Sequence, residues 1–251
     1  MVTRYRVWLD GQGLQDIDPS IIVSDIQEFA PVMSVQTAER ASGDGMRVLR
    51  RARRSLTVAI RFYIEEYDTA RRKAVLQKVS RWAMQGGQLS VSDRPDQYLQ
   101  VEVDTLPAIA SAQQWLGEMT VIFIARNIPY WQAEYPESAS ARAASGEVQL
   151  MVTSDKDVVL EAVVTNQGEG VMNTLTLAVN GQGMRFEGLG LAPGAAMRME
   201  MDAEGILRLP VSCRTADSAD MLMLVGNENN VVSFAADQLV HAAFKARGAW
   251  L

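Results

Sequence analysis

The sequence predicts a mainly β chain with one helix, divided into two domains. Three observations carry this. Only one stretch, Tyr67 to Arg94, reads as a helix. Nearly everything else is short runs of alternating apolar and polar residues, the period of a half-buried strand. A Ser/Ala-rich run at 135–146 lacks apolar periodicity and separates two halves of different charge. Residues 1–135 carry 16 Lys+Arg and 16 Asp+Glu; residues 136–251 carry 8 and 14, so the whole net charge of −6 lies in the second half. The expected domains are therefore 1–136 and 137–251.

The helix has a start, a stripe and a stop. Asp68 is an N-cap, because its carboxylate can accept from the free amides of the first turn. Val75, Leu76, Val79, Trp82 and Ala83 form one apolar stripe. Gly86 and Gly87 end it, since glycine reaches the left-handed conformation that closes a helix. Arg71, Arg72 and Lys73 stand in the first turn, where the helix dipole disfavours positive charge. Glu65 and Glu66, just upstream, are the expected compensation.

Before the helix, residues 4–10 alternate Tyr5, Val7 and Leu9 against Arg6, Trp8 and Asp10, a strand ended by Gly11-Gln12-Gly13. Ile21–Phe29 is a second strand, with Pro31 ending it or marking a sheet edge. Ala38–Arg54 holds a turn signal, Ser42-Gly43-Asp44-Gly45, and arginines at 47, 50, 51, 53 and 54. These arginines read as solvated positions on a long hairpin rather than a nucleic-acid patch, because the domain as a whole is neutral. Ser55–Ile64 turns Leu56, Val58, Ile60, Phe62 and Ile64 inward. After the helix, Gln88–Ser92 and Tyr98–Leu106 form a hairpin. Trp115–Ala125 is nearly continuous in its apolar run and reads as buried on both faces. Pro129, Tyr130 and Trp131 are expected to anchor the exit from the first domain. Beyond 146 only strands are expected, at 148–152, 158–165, 174–179, 184–189, 197–202, 206–209, 221–225 and 231–234, with 241–251 closing the sheet. Short strands between Gly/Asn turns indicate a sandwich or jelly roll.

The chemistry of catalysis is thin. His241 is the only histidine and Cys213 the only cysteine, so any Ser-His-Asp or Cys-His scheme would rest on His241 alone, and an internal disulfide and a cysteine-cluster metal site are excluded. Carboxylate pairs at Glu65/Glu66 and Asp217/Asp220, and the Asp155/Asp157 turn, lack the companions that glycoside hydrolysis or calcium binding needs. Gly181-Gln182-Gly183 and Gly188-Leu189-Gly190 are hairpin glycines and do not open a helix. No catalytic, metal or cofactor residue is assigned. No apolar run approaches a membrane span and no signal peptide is evident, so synthesis in a cytoplasm without membrane insertion is expected.

Two runs, KVSRWAMQGGQLSVSDRPDQYLQV and AIASAQQWLGEMTVIFIARNIPYWQ, resemble the distal tail (Dit) proteins of long-tailed bacteriophages. So do FEGLGLAPGAAMRMEMDAEGILRL, RTADSADMLMLVGNENNVVSF and AAFKARGAWL near the C-terminus. The resemblance covers about residues 20–251. It implies a tail-tube-like β-sandwich or split barrel with a flanking helix, then a galectin-like jelly-roll sandwich. It also implies a virion protein without enzymatic activity, a homohexameric ring at the tail tip joining the tail-tube protein to the hub, with DNA passing through. Some members carry receptor-binding proteins. On that architecture Arg47, Arg50, Arg51, Arg53, Arg54, Arg71, Arg72 and Lys73 become candidate contacts between subunits. A sugar-binding galectin's His-x-Asn-x-Arg strand is not matched by His241-Ala-Ala-Phe-Lys-Ala-Arg. The alternative reading is a carbohydrate-binding or adhesion module, resting on the jelly roll and on exposure of Trp131 and Trp250.

Overall fold

The computed structural model describes residues 5–39, 46–108, 118–202, 206–209, 214–215 and 221–251. Cys213, Trp115, Asp217 and Asp220 lie outside the described residues, as does the predicted turn at 42–45. The chain forms two compact units, Met1–Trp131 and Gln132–Leu251.

Unit 1 runs β1 (Val7–Leu9), β2 (Gln12–Gly13), α1 (Leu14–Ile17), β3 (Ile21–Glu39), β4 (Met46–Ile64), α2 (Thr69–Met84), β5 (Gly87–Val91), β6 (Gln97–Thr105) and β7 (Met119–Ala125). A short strand, β8 (Trp131–Ala133), follows at the division. The strands of unit 1 lie in the order β2-β1-β5-β6-β7-β4-β3, every neighbouring pair antiparallel. The inward set predicted for β4, from Leu56 to Ile64, is fully buried.

Helix α2 is built as its sequence demands. The Asp68 carboxylate accepts from Ala70 N at 2.8 Å. Val75, Val79, Trp82 and Ala83 are buried, and the Trp82 ring meets Phe123 edge-on at 5.8 Å. Gly86 follows with φ +63°, and a Cβ there would sit 2.9 Å from the Val101 carbonyl oxygen. Both facts favour glycine at this stop.

Three expectations for unit 1 are corrected. Besides α2 there is a one-turn helix, α1, too short to show a periodic stripe. Strand β3 runs on through Pro31 to Glu39, so of the two readings of that proline the strand end is corrected and the sheet edge is the one observed. It is the last strand of its sheet, and Pro31 falls between Phe29 and Val32, where the register shifts. A proline costs little where no ladder bond is asked of it. Strand β7 alternates buried and half-buried residues rather than being buried on both faces. Its buried side, which includes Phe123, is the side on which Trp82 of α2 packs.

Unit 2 runs β9 (Glu137–Met151), β10 (Val158–Val159), β11 (Glu161–Asn166), β12 (Met172–Val179), β13 (Gln182–Leu191), β14 (Ala196–Met201), β15 (Leu207–Arg208), β16 (Arg214–Thr215), β17 (Met223–Leu224), β18 (Asn229–Ala246) and β19 (Ala249–Trp250). The main sheet is ordered β15-β14-β11-β18-β12-β13-β16, with β9 also on β18; β10 and β17 form a separate pair.

Strand β18 organises this unit. Its first half pairs with β12, its second with β11, and β9 follows it through both. Between Ala235 and Val240 the register with β9 shifts. An extended strand would hold Phe234 and Phe244 about 33 Å apart, yet their ring centroids are 5.9 Å apart. The strand therefore folds over on itself and buries both rings, the way a strand turns a sandwich corner through a bulge. This overturns the sequence expectation of separate segments at 231–234 and 241–251, because the intervening Ala-Ala-Asp-Gln-Leu interrupts the alternation at the bulge.

The Ser/Ala run is a second correction. Residues 137–146 belong to β9 and are not a linker; the division into units falls upstream, after Trp131. Ala139, Ala141 and Ala143 alternate with Ser and Arg but are small and only half-buried, so the strand carries no large apolar stripe. Its pairing with β18 decides the conformation over weak local preference. Gly146 sits opposite Phe234, whose ring would lie 3.3 Å from a Cβ at that position, a tight contact.

No helix among the described residues is long and apolar enough to cross a membrane.

Candidate functional site

The feature of unit 1 that folding alone does not explain is the outer part of the β3–β4 hairpin. Strand β4 has β7 as its second neighbour only from Leu56 to Phe62. From Met46 to Ser55 it pairs with β3 alone among the described residues. Ten strand residues reach about 33 Å, so a two-stranded arm extends past the sheet. Such a ribbon is at best marginally stable unless something covers one face.

The arm carries large apolar side chains in the open. Phe29, Val32, Met33 and Val35 are 44%, 54%, 51% and 51% exposed. Exposed apolar residues taken singly are ordinary; several close together on one ribbon are less so.

The base of the arm is clamped. Arg94, in the β5–β6 turn, donates to both oxygens of Glu28 on β3, at 2.7 and 3.0 Å. The indole N–H of Trp131 donates to Glu28 Oε2 at 3.2 Å, and the Arg94 guanidinium lies 5.2 Å from the Trp131 ring centroid. Trp131 is fully buried. On the other strand, the Arg53 guanidinium lies over the Tyr130 ring at 5.2 Å. Both aromatics expected to anchor the exit of the first domain thus hold the root of the arm. The clamp itself was not legible beforehand: Glu28 and Arg94 are 66 positions apart and no local pattern links them.

The arginines named from sequence fall on two elements. Arg47, Arg50 and Arg51 lie on β4, opposite Ala38, Gln36 and Val35; their side chains lie outside the described residues. Arg53 is drawn onto Tyr130, and Arg54 is exposed at a register shift. On α2, Arg71 pairs with Glu66 at 3.0 Å. The other oxygen of Glu66 accepts the Asp68 amide at 3.1 Å, so one carboxylate steadies both the cation and the cap. Arg72 is buried, its Nη2 donating to Thr69 Oγ1 at 3.4 Å. Lys73 is exposed.

Titration adds no second site. Hydrogen bonds from Ser20 hold the Asp18 carboxyl below its ordinary range. Burial raises that of Glu161 against the attraction of Arg247. Among the described residues no three His, Cys, Asp or Glu side chains are placed to hold a metal ion. The buried asparagines of unit 2 are satisfied mainly by backbone groups. Asn230 accepts from Asn180 Nδ2 and Val225 N and donates to carbonyls of Leu150, Val225 and Glu228. Asn166 bonds Gly168, Gly170 and Leu191. Trp131 is buried and Trp250 half-buried, which removes the exposed aromatic pair on which sugar stacking was to rest.

Comparison with known proteins gives a fold. No protein-family model matches the chain, and no curated protein does. Among solved structures, the chain is similar to the Dit protein of phage SPP1, described as a paradigm of the hub adsorption apparatus in phages infecting Gram-positive bacteria. The TM-score is 0.69 at 11% identity, over 97% of this chain and 98% of that one. Two structures of the phage P2 baseplate in its activated conformation, with calcium and with strontium, align at 6% identity and a TM-score of 0.47. They cover 99% and 97% of this chain and 98% and 97% of theirs. The fold of this chain is that of a phage Dit protein, the family its sequence resembles.

Proposed function

We propose that the chain is a structural component of a phage tail tip: copies of it close a hexameric ring that joins the tail tube to the hub, with no enzymatic role. The arm is the observation that carries this reading. A clamped hairpin with exposed Val32, Met33 and Val35 is stable only when a neighbour covers it, and a cyclic array of identical copies gives every arm the same cover. The fold shared with the SPP1 protein supports the reading. The partners are then a tail-tube protein on one face and a hub protein on the other, with the second unit available to receptor-binding proteins. DNA would pass through the ring without sequence recognition, and the chain would reside in the virion.

The test is assembly. Purified chain is expected to run well above its 27.6 kDa monomer mass, alone or with tail-tube or hub protein, and to show a six-fold ring with a central hole in electron micrographs. Replacing residues 38–54 with a short turn should abolish the ring while the monomer stays folded. A chain that stays monomeric with every tail partner defeats the reading, and rings that survive the shortened arm defeat the role given to the arm.

A further inference from the structure

Helix α2 presents a second surface. It contains Arg71, Arg72, Lys73, Lys78 and Arg81 and no acidic residue. Arg71 is engaged by Glu66 and Arg72 is buried. Lys73 and Arg81 stand exposed opposite the buried side of Val75, Val79 and Trp82, Lys78 is exposed at the flank of that side one turn before Trp82, and none of the three makes an ion pair among the described residues. At 1.5 Å per residue they span about 12 Å of helix. Lys78 and Arg81 also edge an open recess of about 460 Å³ with Gln12, Gln85 and Trp82, whose one carboxylate is Asp16. Such a face is complementary to an acidic surface of similar width.

The chain itself offers one. All of its net charge of −6 lies in residues 136–251. In unit 2, Asp155, Asp157 and Glu228 are exposed on two adjoining loops, tied together by Gly226 N to Asp157 Oδ1 and by Asn227 N to Val152 O. The two loops carry three carboxylates and one ammonium, that of Lys156, and none of the three carboxylates makes an ion pair among the described residues.

We propose that the exposed face of α2 docks on this acidic loop end of a second copy of the chain. Each protomer gives its cationic face to one neighbour and its acidic end to the other. This rests on the ring reading and names a contact in it that does not involve the arm. Duplex DNA is a poorer occupant. Three cations are few against the phosphates a DNA-binding surface neutralises, and the net charge repels a polyanion at long range.

Charge reversal with rescue tests it, by sedimentation and electron microscopy of the full chain. Lys73→Glu/Lys78→Glu/Arg81→Glu should raise the concentration needed for half-assembly by about tenfold or more. Asp155→Lys/Asp157→Lys/Glu228→Lys should do the same, and the chain carrying all six should recover. Asp155 and Asp157 accept backbone hydrogen bonds, so Lys78→Glu with Glu228→Lys is the milder pair. Wild-type assembly should weaken between about 50 mM and about 500 mM salt, as the screening length shortens. Rings indifferent to α2 reversal and to salt overturn this contact and leave the ring reading standing. Six-fold and milder chains that fold but do not recover overturn it equally. A reversed chain that assembles normally but no longer retains duplex DNA overturns it in favour of nucleic acid. A wild-type chain that never assembles defeats both readings.

Discussion

The molecule contains two long antiparallel ribbons, and they meet opposite fates. The β3–β4 hairpin has strands of 19 residues each; β9 and β18 have 15 and 18. Both are interrupted by register shifts. The β9–β18 ribbon folds over, brings Phe234 against Phe244 and buries both. The outer β3–β4 ribbon runs on past its sheet with Phe29, Val32, Met33 and Val35 open to solvent. The difference lies in what flanks them. Strand β18 has β11 and β12 along its other edge and supplies their core. From Met46 to Ser55, β4 has no second neighbour among the described residues. A long ribbon becomes a core when sheet lies beside it, and an arm when it does not.

This contrast is testable by substitution. Phe244→Ala should cost the most, about 3–5 kcal/mol, because it leaves a cavity where the strand folds on itself. Thermal unfolding should show the loss in unit 2, and a cost below about 1 kcal/mol would mean the folded-over strand is not the core proposed. Asn230→Ala comes next, at about 2–3 kcal/mol, since buried donors and acceptors on three segments lose their partner. Urea denaturation reads this directly, and Asn230→Asp should not rescue, because it replaces the amide donor with acceptor oxygens. Glu28→Ala should cost about 1.5–3 kcal/mol by removing the carboxylate that accepts from both Arg94 and the Trp131 indole in a partly buried site. It should also raise hydrogen exchange at the root of the arm. The smallest effect on monomer stability, within about 0.5 kcal/mol, is expected for Val32→Ser/Met33→Ser/Val35→Ser. The same triple variant should abolish assembly. If it destabilises the monomer as much as Phe244→Ala, the arm is core after all and the contrast fails.

The sequence was most legible where local chemistry decides the outcome. Asp68 as cap, Gly86 as stop and the alternation from Leu56 to Ile64 all sit where their residue types place them. It was least legible where distant segments decide. The Ser/Ala stretch of β9 is a strand because β18 lies beside it, and β18 is continuous through a bulge that hides its period. Strand β3 continues past Pro31 because an edge tolerates it. The arginines at 53 and 71 were visible as charges, but their partners, Tyr130 and Glu66, emerge only from the folded chain. The exposed apolar residues of the arm were hidden for a related reason: a strand expected to end at Phe29 leaves Val32, Met33 and Val35 without a face.

The folded-over strand also has a consequence for the order in which the protein is made. Strands β9, β11 and β12 all pair with β18, and all three precede it in the chain. None of these pairings can form until Asn229–Ala246 has left the ribosome. Until then unit 2 has only pairings such as β12–β13 and β11–β14, with the edges that β18 will join left open. Unit 1, complete by Trp131, can fold during synthesis, while unit 2 must wait for long-range closure, the slower kind. The nascent chain is therefore most prone to aggregate just before β18 emerges, and a ribosome stalled there would hold a finished first unit tethered to an unclosed second one.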